Sequence, residues 1–102
     1  MDAARKKRLK DAGWRFGSVA EFLGLTKEEE ALIEMKLCLS NLVRDFRKQR
    51  GMSQTTLAKR LHSSQSRVAK IEAADSSVSL DLLVRASFAT GATRKDLASA
   101  IA

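Results

Sequence analysis

Proline is absent from this chain of 102 residues, and glycine occurs only five times. With so few breakers, and with Ala, Leu, Lys, Arg and Glu abundant, helix is favoured almost throughout. The single cysteine, Cys38, excludes an internal disulfide and points to a reducing compartment. It stands in an apolar helical stretch, which fits packing rather than a reactive thiol. A single histidine, His62, argues against metal binding and general-base chemistry. No window approaches a membrane span, and the N-terminus has no apolar core of signal-peptide type, so a soluble, cytoplasmic protein is expected. The chain shows no nucleophile–base pair, no carboxylate pair in a candidate pocket and no glycine-rich phosphate loop after a strand. Neither an enzyme nor a bound cofactor is expected.

What the chain does have is positive charge, unevenly placed. Nineteen basic residues face twelve acidic ones, for a net charge of +7. Residues 44–72 alone hold eight basic and two acidic residues, whereas 18–43 are net acidic and 73–102 are balanced. An anionic partner is therefore favoured, and residues 44–72 are where it would be met. A basic solvated surface is the plain alternative.

The length suits one domain with a modest core. Residues 1–12 read as a basic arm, either touching DNA or solvated, with too little apolar content to fold alone. Trp14, Phe16 and Phe22 follow in a glycine-rich stretch. They suggest a cap for the core or for a partner, with Ser18 capping a short helix over 19–23. We take residues 1–25 as arm and aromatic segment, and 26–102 as the folded domain.

Thr26 and Glu29 form a capping box, and Glu28 to Glu30 suit the positive end of a helix dipole. The helix should run from Lys27 to about Arg50, with Gly51 as its left-handed exit. Leu32, Met35, Leu39, Leu42, Val43 and Phe46 share one stripe, while Ile33 and Leu37 make a smaller second patch. Ser53 caps a helix over 54–61, and Ser63 or Ser64 caps one over 65–72. Ser79 begins a helix over 80–90 that ends at Gly91. Its apolar residues form two stripes, Leu80, Leu83, Val84 and Phe88 against Leu82, Ala86 and Ala89, which implies burial on two sides, by the core and by either the last helix or a second subunit. Thr93 and Asp96 open a last helix carrying Leu97 and Ile101.

Residues 53–72 are the informative core of this pattern. Leu57, Ala58 and Leu61 line one face of the first short helix, and Val68 and Ile71 line one face of the second. Ser66 and Lys70, flanked by Gln65 and Arg67, occupy the opposite face. Two short helices, the second apolar on one side only, make a helix-turn-helix that offers its free side to the DNA major groove. On the helical wheel Glu72 falls on the buried side with Val68 and Ile71.

From about Leu42 to Leu83 the chain resembles the Cro/C1-type (XRE) helix-turn-helix family. The residues that carry the resemblance are Arg47, Gly51, Ser53, Gln54, Leu57 and Ala58, then Ser64, Gln65, Val68 and Glu72. The lead-in FGSVAEFLGL and the tail SLDLLVRA make the whole chain similar to the HigA-type antitoxins and regulators. The resemblance implies an all-α, five- to six-helix, lambda-repressor-like domain with a long first core helix. It implies that Gln54 touches a phosphate and braces the recognition helix, and that Gln65 and Ser66 meet base edges. Glutamine suits adenine, offering one donor and one acceptor. Arg67 and Lys70 would take guanine or phosphate, and Lys59 or Arg60 a phosphate. Thr55 and Ser64 complete the DNA-facing set. Arg47 and Glu72 would form a structural ion pair. The chain departs from the family pattern at His62, where glycine is usual, and at Ala73 and Ala74. The second departure allows a slightly longer recognition helix.

The expected function is sequence-specific transcriptional regulation, as a repressor that binds a palindromic operator in double-stranded DNA as a homodimer. Such a protein would be nucleoid-associated. One recognition helix reads too few base pairs for a genome, and two subunits correct this. The alternative is an antitoxin that neutralises a toxin ribonuclease and autorepresses its operon. A protein-interaction module that has abandoned DNA is disfavoured by Gln54, Gln65 and the local basic charge.

Overall fold

The computed structural model describes residues 24–102. The basic arm, the aromatic cluster and the helix expected over 19–23 lie outside the described residues. Within them every regular element is a helix: α1 (Lys27–Gln49), α2 (Gln54–Arg60), α3 (Gln65–Glu72), α4 (Leu80–Ala89) and α5 (Arg94–Ile101). The fold is all-α, as the composition implies.

Each helix starts on a hydroxyl. Thr26 accepts from the Glu29 amide at 3.1 Å, and Glu29 accepts from the Thr26 amide at 3.3 Å, a complete capping box. Ser53, Ser64 and Ser79 each accept from the amide three residues on. Thr93 and Asp96 repeat the reciprocal box at α5. Such a cap satisfies an amide that helix geometry leaves without a partner and stabilises by about 1 kcal/mol.

Four helices end alike. At α1 the Gly51 amide donates to Lys48 and the Met52 amide to Arg47, the paired bonds of a Schellman motif. The same pair recurs at His62 and Ser63, at Ala74 and Asp75, and at Gly91 and Ala92. The residue that turns the chain is left-handed each time: Gly51 at φ 65°, His62 at 52°, Ala74 at 55° and Gly91 at 92°. The recognition helix is therefore not prolonged by its missing glycine. It stops at Glu72, because Ala74 takes the left-handed conformation despite its Cβ.

α1 packs against α3, α4 and α5, and α2 against α3 and α4. The core joins Leu39, Leu42 and Val43 of α1 to Leu57 of α2, Val68 and Ile71 of α3, Leu83 of α4 and Leu97 of α5. Fully burying one such side chain contributes about 1.5–3 kcal/mol. One expectation needs correction. The α1 stripe does not extend inward from its start: burial begins at Cys38, and Leu32 is 42% exposed. In α4 the buried line is Leu83, Ala86 and Ser87, which runs between the two apolar stripes. Leu80, Val84, Leu82 and Ala89 are its half-buried flanks, and Phe88 is 44% exposed. Ser87 is tolerated in the interior because its hydroxyl donates to the Leu83 carbonyl at 2.7 Å.

Candidate nucleic-acid interface

α2, the turn at His62 and α3 form one unit fixed from below. Leu57, Ala58 and Leu61 are buried under α2, and Val68 and Ile71 under α3. The upper side is open: Thr55, Lys59, Ser64, Gln65, Ser66, Arg67 and Lys70 are all exposed, and Gln54 is half-buried. Both N-caps are exposed serines, Ser53 bonding the Thr56 amide at 3.0 Å and Ser64 the Arg67 amide at 3.2 Å. The first residues of the two helices, Gln54 and Gln65, are joined by a hydrogen bond, and the cations of α3 are exposed near them. That combination favours a phosphate-bearing partner.

Beneath Gln54 and Gln65 lies an ion pair between Arg47 of α1 and Glu72 of α3. Arg47 Nε donates to Glu72 Oε2 at 2.6 Å and Nη2 to Oε1 at 2.9 Å, a two-pronged pairing. Arg47 Nη1 also donates to the Met52 carbonyl at 2.9 Å. Glu72 is only 8% exposed, so this pairing takes the place of water around its carboxylate. The hydrogen bond to Glu72 and the carboxylate's charge raise the Arg47 pKa, while burial works against them. The network continues upward. Gln54 Nε2 donates to Glu72 Oε1 at 3.4 Å, and Gln65 Nε2 donates to Gln54 Oε1 at 2.6 Å. A polar chain therefore runs from the interior of the fold to the first residue of α3.

Two neighbours of the site escape a reading by motif. Arg60, considered beside Lys59 for a phosphate, donates to the Ala89 carbonyl at 3.2 Å and so braces the end of α4. Ser77, on the loop after α3, joins Ser64, Ser66, Arg67, Lys70 and Val78 around an open polar depression of about 280 Å³. Asp75 orders this loop by accepting from the Ser77 hydroxyl at 2.6 Å and its amide at 2.9 Å. The Asp-x-Ser spacing was visible in the sequence as a turn signal; that it comes back beside α3 was not.

A family model described as helix-turn-helix matches residues 43–97, just over half the chain. The chain belongs to the Cro/C1-type helix-turn-helix family. No curated protein and no solved structure matches it. The matched span of this helix-turn-helix protein begins in α1, just before Arg47, and ends in α5. It encloses the network, both caps and the exposed face of α3. The chain is accordingly a DNA-binding transcriptional regulator. Among the described residues no helix is long and apolar enough to cross a membrane.

Proposed function

We propose that this regulator is a repressor that reads a palindromic operator as a homodimer, with α3 in the major groove. The observation that carries the reading is the open strip of Gln65, Ser66, Arg67 and Lys70 on a helix whose other side is fixed in the core. Gln65 and Ser66 stand at the N-terminal end of α3, the end that enters the groove. Lys70 and Arg67 lie farther along the same exposed side and meet guanine or phosphate. Thr55, Lys59 and Ser64 contact the backbone, and Gln54 spans a phosphate and Gln65.

Eight residues of recognition helix cover only about one half-site, so a second copy supplies the remaining specificity. Phe88, with Leu80 and Val84 beside it on α4, is the apolar surface that supports self-association. Sequencing DNA fragments enriched by the purified protein tests the reading. Inverted half-sites one helical turn apart are expected, and equal retention of random DNA would end it. Phe88→Asp is expected to yield a monomer in sedimentation and a weaker operator complex.

A second role rests on a different observation. Residues 1–25 hold Trp14, Phe16 and Phe22 outside the helix-turn-helix, and Leu32 presents an exposed apolar side chain at the start of α1. These residues bind a toxin protein, making the repressor an antitoxin that controls its own operon. A neighbouring gene whose product is harmless when expressed alone would remove this role and leave the DNA reading intact.

A further inference from the structure

We propose that Glu72, although it faces the interior, is a positioning residue for sequence readout. Acting through Gln54, it decides which end of the Gln65 amide is the donor. The inference rests on the reading of Gln65 as a base-contacting residue, and it adds a reason for the base it selects.

The argument is one of hydrogen-bond polarity. An ionised carboxylate has lone pairs and no proton to give. Whichever end of the Gln54 amide approaches Glu72 Oε1 must therefore be the NH2 end, as found at 3.4 Å. That choice turns Gln54 Oε1 towards Gln65. A carbonyl oxygen accepts only, so the end of Gln65 that meets it must again be NH2, as found at 2.6 Å. Without this chain a glutamine amide has two orientations of nearly equal shape, related by a half-turn. With it, each link forbids the reversed form of the next. The origin is fixed because Arg47 donates to both Glu72 oxygens and so holds the carboxylate in place.

The consequence falls on the base edge. In the major groove adenine presents N7 as acceptor and N6 as donor, in a fixed order along the pair. A glutamine matches it with one N–H and its carbonyl only when the amide has the right sense. Reversal places donor against donor and acceptor against acceptor. A fixed sense makes Gln65 selective from one side of the pair, whereas a free amide loses part of its binding to re-orientation. Glu72 thus acts on specificity without approaching DNA.

The test uses the full chain and duplexes carrying the selected operator, with each base substituted in turn at the position sensitive to Gln65. Glu72→Gln replaces one acceptor by a donor and allows both senses of Gln54. Because it also deprives Arg47 of a bond, a second variant, R47M/E72M, removes both charges together and strands neither. Preference for the selected base is expected to fall roughly tenfold in both variants, a change of the size carried by one two-pronged contact. In a Gln65→Ala background neither substitution should alter preference further. Uniform weakening on every duplex, with preference unchanged, would overturn the role of Glu72 and leave it purely structural. If Gln65→Ala by itself leaves preference intact, the reading of Gln65 fails instead, and the two failures are distinct.

Discussion

The helices that frame the motif and those that compose it close in the same way with different residues. α1 and α4 turn on Gly51 and Gly91, whereas α2 and α3 turn on His62 and Ala74. All four make the same two backbone bonds. The frame therefore reverses its chain without steric cost, while the motif carries two side chains in a conformation that disfavours them by about 1–2 kcal/mol each. What holds the motif in place is not its local preference but its anchorage to the frame. Arg47 of α1 grips Glu72 at the end of α3, and Val68 and Ile71 lie in the shared core.

The largest expected effect comes from cutting that anchorage. Arg47→Ala should cost about 3–5 kcal/mol in chemical denaturation, because it leaves the Glu72 carboxylate buried and unpaired. Removing both charges in R47M/E72M should cost much less. Similar losses in the two variants would show that packing, rather than the stranded charge, dominates.

Next are the frame's glycines, which should differ from each other. A Cβ at Gly51 meets nothing within 4 Å, so Gly51→Ala should cost about 1 kcal/mol for its left-handed backbone alone. A Cβ at Gly91 would lie 2.9 Å from Arg50 Nε. Gly91→Ala should therefore cost more and displace Arg50 from the Phe46 ring, whose centroid is 4.7 Å away. Thermal melts of the two variants side by side measure the difference.

The motif should respond in the opposite direction. Ala74→Gly and His62→Gly are each expected to raise stability by about 0.5–1 kcal/mol, since glycine relieves the left-handed strain. Neither residue is in the DNA-facing set, so operator affinity should hold. A loss of stability in either variant would show that its side chain contributes more than it strains.

The smallest effect is in acid. The Ser77 hydroxyl and amide hold the Asp75 pKa below its ordinary 3.8, and the Thr93 amide and hydroxyl do the same for Asp96. A depressed carboxylate contributes stability above its unfolded pKa and loses it as pH falls through the folded value. One of these groups serves the loop after the motif and the other serves the frame. Ser77→Ala and Thr93→Ala should each flatten the fall in stability below about pH 4. Carboxyl titration by NMR assigns the change to its group.

Much of this was legible in the chain because the signals are local. Ser53, Ser64, Ser79 and Thr93 cap where their spacing from the following apolar face requires. Gln54 and Gln65 stand out as polar residues on helices whose opposite faces are apolar. The two α4 stripes left their cover open, because a wheel marks apolar positions without saying which neighbour covers them. The buried line passed between them, and Phe88 stayed outside. The Arg60 bond to the Ala89 carbonyl was hidden for a similar reason: its partner is 29 residues away.

Helix positions, their caps and the side of α3 left free follow from the order of residues, since each depends on contacts within a few positions. Which apolar residues are enclosed, where Arg60 is held, and the polar chain from Arg47 to Gln65 depend on helices far apart in sequence coming together. Hydrogen bonds and burial are decided by distance in space, and only the assembled core brings those distances into being.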